Sequence, residues 1–266
     1  MKIKDITVVL LLYNTPPNVI KNLKIYKDFK ILILDQSNDF ILKKKLLKIL
    51  PNIQFYKVTK DNLGFAQGVN FLIKKVKTKY FLCTQPDVIV SKKDILKLKK
   101  PFLLKKDCII SIPSITSKSI NFKNNIQSVN SFIGAIFLSE TNKFIKFGGF
   151  DADFFFYWED VDFSQRVKLS RYNIYLSSLS KAKHLFGKST EINFKIFFLK
   201  YSNFKFGEYL FQYKFNKLKI VKQFREPFLI IIKIFISLIT FNRTNLYKYF
   251  SFISGIIRFY LYLLKK

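Results

Sequence analysis

Four short apolar runs, separated by helix-forming stretches, limit what the first part of this chain can become. Residues 6–13, a continuous run rich in β-branched side chains, and 29–34 have the pattern of strands buried on both faces, and 53–58 and 80–84 read as a third and a fourth strand. Residues 18–27, the Lys-rich stretch 40–50, and about 67–77 read as helices. This alternation predicts an α/β fold with a mostly parallel central sheet flanked by helices. Ligands of such sheets meet the C-terminal ends of the strands. Those ends are where polar residues gather here: Asn14, Asp35 to Asp39, Asn62, and Gln85-Pro86-Asp87. After Lys105 the alternation loosens. Strands are expected at 108–112, 131–138 and 172–176, a loop over 114–127, and a helix over about 159–169.

The chain has 266 residues, enough for one domain plus an appendage. Its 47 Lys and Arg against 17 Asp and Glu give a net charge of +30, which selects anionic partners: nucleic acid, anionic lipid or phosphorylated small molecules. A compositional bias toward Lys, Ile, Asn and Phe accounts for the same excess as an idle solvated surface. Cys83 and Cys108 stand outside any metal-type spacing and read as buried thiols in a reducing compartment. The first apolar run is too short to span a bilayer. It leads into Asn-Thr-Pro-Pro instead of a small-residue cleavage site, so it reads as a strand and not a signal peptide.

Against this basic background, residues 148–162 concentrate acid. Gly148-Gly149 breaks the chain, and the aromatic run 154–158 precedes Glu159, Asp160 and Asp162. Carboxylates at a helix start are favoured electrostatically, which is the bland account. Three within five residues exceed what capping needs. Helical spacing puts Glu159 and Asp162 on one side and Asp160 on another. Apolar surroundings raise carboxyl pKa values and suit a general base or a metal ligand.

Four other positions have both a chemical and a plain reading. Asp35 can accept hydrogen bonds from a base or ribose, or simply begin a turn. Residues 62–70 lead into a helix whose N-terminus favours a diphosphate, or form an ordinary turn and cap; no Gly-rich phosphate loop occurs. Asp87, at a strand end, is a hard-metal ligand beside a nucleotide diphosphate, or a cap. His184, the only histidine, can complete a metal site with Asp87, or be structural.

In chain order, Leu12-Tyr13-Asn14, Leu34-Asp35-Gln36-Ser37, Asp61 to Asn70, Gln85-Pro86-Asp87-Val88, Gly134-Ala135, Gly148-Gly149-Phe150-Asp151, Tyr157 to Asp162, and His184 resemble the family 2 glycosyltransferases with the GT-A fold, most closely the bacterial rhamnosyltransferase-like branch. The resemblance covers about residues 5–205. It implies a catalytic domain over 1–205 and a basic, amphipathic helical region over 206–266. It implies an inverting transferase that moves a hexose or deoxyhexose from a nucleotide-diphosphate sugar to a glycan or lipid-linked glycan, as in surface polysaccharide assembly. The implied donor side comprises Asn14, Asp35, Asn62, Gly64, Asn70 and Gln85. Asp87 and His184 would hold Mg²⁺ or Mn²⁺. Asp160 would be the base with Glu159 beside it, and Trp158 and Asp162 would meet the acceptor. Gln85 departs from the family pattern, which often has an acid or Asn there. Two rivals are a basic nucleic-acid-binding protein, which leaves the carboxylate loops unexplained, and a GT-A-like binding protein without catalysis.

Residues 191–266 hold 14 Lys or Arg against 3 Glu. Within them, 228–241 and 254–266 read as amphipathic helices, the first shorter than the roughly 20 residues of a spanning helix. They suit an in-plane anchor on anionic lipid, or helices packed on the catalytic domain or a second subunit. The expected location is cytoplasmic, peripheral on the inner face of the cytoplasmic membrane.

Overall fold

The computed structural model describes residues 3–37, 40–115, 125–190 and 193–266. The chain forms two compact units: Met1–Ala152 with Asp160–Glu191, and Asp153–Glu159 with Ile192–Lys266. The position 205 expected as a domain boundary falls inside a helix of the second unit.

In the first unit, nine strands among the described residues form one curled, mixed sheet. The strands are β1 (Ile6–Leu12), β2 (Lys30–Asp35), β3 (Ile53–Val58), β4 (Tyr80–Thr84), β5 (Val88–Val90), β6 (Cys108–Ser114), β7 (Ile126–Val129), β8 (Ile136–Glu140) and β9 (Asn173–His184). Their order is β3-β2-β1-β4-β8-β6-β9-β5, with β7 also on β9. The four predicted runs pair in parallel, with Leu12 opposite Asp35 and Leu10 opposite Thr84, so their polar C-terminal ends align at one edge. β8 enters antiparallel to both β4 and β6. The helices are α1 (Pro17–Ile20), α2 (Phe40–Ile49), α3 (Gly64–Ile73), α4 (Lys92–Lys97), α5 (Lys100–Leu104), α6 (Thr141–Lys146) and α7 (Glu159–Lys168). The core is aliphatic around β1, β2 and β4. Around Phe81, Phe137, Phe144, Phe150 and Phe163 it is a cluster of aromatic rings in edge and stacked contacts.

Several elements differ from the sequence reading. The expected helix over 18–27 is only the turn α1 followed by a 3-10 segment over residues 21–26. α3 starts three residues early, because Asn62 Oδ1 accepts the Gly64 N–H at 2.8 Å and sets the first turn there. The strand expected from 131 begins only at 136. The strand expected to end at 176 runs on to His184 by changing partners, from β6 and β7 to β5. The predicted loop 114–127 contains the start of β7, and its residues 116–124 lie outside the described part. Cys83 and Cys108 are buried free thiols.

The second unit holds α8 (Phe194–Lys214), α9 (Ile220–Ile239) and α10 (Arg243–Leu263). α8 and α10 approach backbone to backbone at Gly255, where a Cβ would lie 2.4 Å from the Ser202 carbonyl oxygen. Lys205 pairs within α8 with Glu208 at 2.6 Å and reaches across to α9 through Glu226 at 2.5 Å. α9 and α10 are longer than the apolar runs that signalled them; α10 is capped by Asn242, whose Oδ1 accepts the Asn245 N–H. Among the described residues no helix is long and apolar enough to cross a membrane.

Candidate active site

Asp87 and His184 meet because of one short ladder. β5 starts immediately after Asp87 and pairs antiparallel with the end of β9, setting Val88 opposite His184. His184 Nε2 then lies 3.5 Å from Asp87 Oδ2, with both side chains buried. Asp87 Oδ2 also accepts the backbone N–H groups of Lys188 and Ser189, each at 3.1 Å, and its carbonyl accepts that of Leu185. Asp87 Oδ1 and both His184 nitrogens are buried without a hydrogen-bond partner. Buried polar atoms carry a desolvation cost when unpaired, so an adjacent carboxylate oxygen and imidazole left this way fit a site whose remaining partner is a ligand. Among the described residues no group of three or more His, Cys, Asp and Glu comes together. The pair suits a divalent cation whose other ligands are phosphate oxygens and water, since such ions commonly take only one or two protein carboxylates.

Asp35 closes β2 fully buried. Its Oδ1 accepts the Ser37 N–H at 2.9 Å and its Oδ2 the Tyr56 hydroxyl at 2.8 Å, which fixes the carboxylate while leaving further lone pairs on each oxygen. Asn14 adopts a positive φ of 44°, and its N–H donates to Ser37 Oγ at 2.7 Å, tying the end of β1 to the same turn. Gln36 was not a predicted site residue. Its side chain accepts the Leu63 N–H and reaches the Gly64 carbonyl, linking the β2 turn to the start of α3.

Asn70, expected on the donor side, engages the acidic segment. Its amide accepts the Phe150 N–H at 3.0 Å and donates to the Phe150 carbonyl at 2.7 Å, a two-point clamp on the acidic segment. Gly149 beside it has φ +64°, and a Cβ there would lie 2.6 Å from Asn70 Oδ1. Asp162, expected on the acceptor side, is fully buried. It takes Arg166 Nε at 2.7 Å, and Arg166 carries on to the Gly149 carbonyl, also at 2.7 Å. Asp162 and Asn70 therefore position this segment. Sequence reasoning missed Arg166, although its four-residue spacing from Asp162 on a helix is a readable pairing signal.

Asp160 reaches the loop before β8. Its Oδ2 accepts the Gly134 N–H and its Oδ1 the Val161 N–H, both at 2.9 Å. Burial pushes this carboxyl above the usual carboxylate range, and the amides of Gly134, Val161 and Asp160 itself only partly oppose that. Although the residue as a whole is only half-buried, the desolvated carboxyl determines the direction. Within the segment 131–135 the Gly134 N–H is diverted to Asp160, and the carbonyl of the next residue, Ala135 O, accepts the Gln85 N–H at 3.1 Å. Gln85, two residues before Asp87, is thus one peptide unit away from the Asp160 contact.

Glu159 is buried at the start of α7, and Asp162 is buried as well, as their shared helix side predicts. Trp158 and Tyr157 both have positive φ, 72° and 68°, an uncommon backbone for large side chains. The Trp158 indole packs on α8, where a Cβ on Gly207 would be 2.8 Å from its Cδ1, and against Phe204 and Phe211. Its Nε1 is buried without a hydrogen-bond partner.

Residues 7–172 match the family described as Glycosyl transferase family 2. Among curated protein sequences no match is found. Similar solved structures include the mannosyltransferase PcManGT from Pyrobaculum calidifontis in complex with GDP-Man and Mn²⁺, with a TM-score of 0.60 and 13% identity over 96% of this chain and 86% of that one. GalNAc-T7, solved with UDP, GalNAc and Mn²⁺, gives 0.57 and 14% over 67% of this chain. TarS from S. aureus gives 0.53 and 14% over 85%. The chain spans only 42% of GalNAc-T7 and 47% of that TarS structure. At such identities the likeness is one of fold, and the shared fold is GT-A.

Proposed function

Since the chain belongs to glycosyl transferase family 2, we propose that it moves a sugar from a nucleotide-diphosphate donor to a hydroxyl acceptor with inversion at the anomeric carbon. The observation that carries this reading is the buried Asp87–His184 pair, joined to Asp160 through Gln85, Ala135 and Gly134. Donor-side and base-side groups then serve one reaction centre. Asp35 meets the nucleoside, supported by a carboxylate fixed by Ser37 and Tyr56. Asp87 and His184 would hold Mg²⁺ or Mn²⁺, which would supply positive charge against the leaving diphosphate. Asp160 takes the acceptor proton as the acceptor oxygen bonds to the anomeric carbon. The bond from that carbon to the diphosphate breaks, and its electron pair leaves with the nucleoside diphosphate. A carboxyl raised by burial is a stronger base than a free one, which suits this step near neutral pH.

The sugar we propose is a hexose or deoxyhexose, and the acceptor a glycan or lipid-linked glycan, as in polysaccharide assembly. Support for the rhamnosyltransferase-like branch is the ordered set of motifs. Glu159, Asn62, Gly64 and Trp158 keep their proposed donor or acceptor roles from the same source. Calorimetric titration of UDP, GDP and dTDP, with and without Mn²⁺, tests the donor side. At least one should bind with Mn²⁺ and weaken about tenfold or more in Asp87→Asn. Tight binding of a single-stranded oligonucleotide with no response to any nucleoside diphosphate would favour the nucleic-acid reading.

A further inference from the structure

α9 is amphipathic in the reverse of the usual sense. Ile230, Ile234 and Ser237 are its buried positions, while Phe224, Phe228, Ile231, Phe235 and Ile239 are 45–77% exposed. Their spacing of three and four residues makes one continuous outward stripe. A solvent-facing helix would place polar residues there, and a contiguous apolar surface of this kind marks a contact with another phase or molecule. α10, by contrast, uses Ser251, Gly255, Ile256 and Phe259 as its buried positions, with Gly255 set against α8.

Charge selects the occupant. From Pro227 to Lys266 the sequence has no Asp or Glu and six Lys or Arg. At the start of α9 a cavity of about 330 Å³ is lined by Lys219, Val221, Lys222, Arg225, Glu226 and Leu229; Lys222 is paired with Glu208 and Glu226, which leaves Lys219 and Arg225 as its further cations beside apolar side chains. A second copy of a chain with net charge +30 would bring like charge to this face. An anionic bilayer offers both the apolar layer and the counter-charge. Because no described helix is long and apolar enough to cross, the contact is in the plane of the headgroups.

We propose that the exposed stripe of α9 is a docking surface for an anionic lipid bilayer, with its phenylalanines in the acyl boundary and its basic residues on the lipid phosphates. The inference is independent of the transferase reading, and vesicle binding is measured without turnover. The full chain is sedimented with vesicles of phosphatidylcholine alone and of phosphatidylcholine with phosphatidylglycerol, and its mass in solution is taken by light scattering. The wild type should pellet with the anionic vesicles only, and less so at high salt. The Phe228→Asp/Phe235→Asp variant should lose about a hundredfold in partitioning, on the basis of about tenfold for each buried phenylalanine. Phe228→Gln/Phe235→Gln, milder toward folding, should lose binding in the same direction. Leu169→Asp, at an exposed site on the first unit, should leave it unchanged. Equal pelleting with neutral vesicles, unchanged binding in the glutamine variant, or a dimer that both variants break without any vesicle binding would overturn the proposal.

Discussion

Asp160 combines two opposing influences, burial that favours the protonated carboxyl and backbone amides that favour the carboxylate. Burial prevails, so the group titrates above the ordinary aspartate value. Transfer requires the carboxylate, and the rate at fixed donor and acceptor should therefore rise with pH through that elevated value. Asp160→Asn should keep donor affinity and lower turnover by about 10²–10⁴, the usual contribution of general base catalysis. A pH–rate profile beside donor calorimetry separates these outcomes. His184 gives a complementary prediction. Its ring nitrogens have no hydrogen-bond partner, so His184→Leu removes a buried polar group at little cost in stability, about 1 kcal/mol or less. The same variant should lose Mn²⁺-dependent nucleotide binding. A large stability loss with metal response intact would make His184 a structural residue.

At the scale of elements, the acidic segment is held by a clamp. Asn70 on α3 holds Phe150, and Arg166 on α7 joins Asp162 to the Gly149 carbonyl. Gly149→Ala forces a side chain into a positive φ and against Asn70 Oδ1, and should cost about 1–3 kcal/mol in urea unfolding. Arg166→Ala leaves Asp162 buried without its cation and should cost about 3 kcal/mol. Adding Asn70→Ala to Gly149→Ala should relieve part of the clash, so the two losses should sum to more than the double variant shows. β1, β2 and β4 were legible because burial on both faces demands continuous apolar runs, whereas β3, with Gln54 and Lys57, is only partly buried. The start of β8 was not legible, because Ser131 to Ala135 is apolar enough for a strand while the Gly134 N–H serves Asp160 instead of a ladder. The length of β9 was hidden for another reason: its second half, Ser177 to His184, is largely polar, and only Ala182 to His184 pair with the short strand β5. That pairing, which brings His184 to Asp87, depends on register that no local spacing reveals.

For the whole molecule, the ordered motifs were readable while their working partners were not. Asp35, Asp87, Asp160 and His184 could be chosen from strand ends and family order. The amides of Gly134, which holds Asp160, and of Lys188 and Ser189, which hold Asp87, come from backbone that carries no side-chain signal. The charge of +30 was visible from composition, but only exposure along α9 gives part of it a proposed partner. The central claim is that the first unit carries a metal-assisted transfer site with Asp160 as its base. A panel of nucleotide sugars, assayed for nucleoside diphosphate release with Mn²⁺ or with chelator, addresses it most directly. At least one donor should turn over with Mn²⁺ only, and both Asp87→Asn and Asp160→Asn should remove that turnover. Release unaffected by chelator and by both substitutions, or no release from any donor in the panel, would contradict the account.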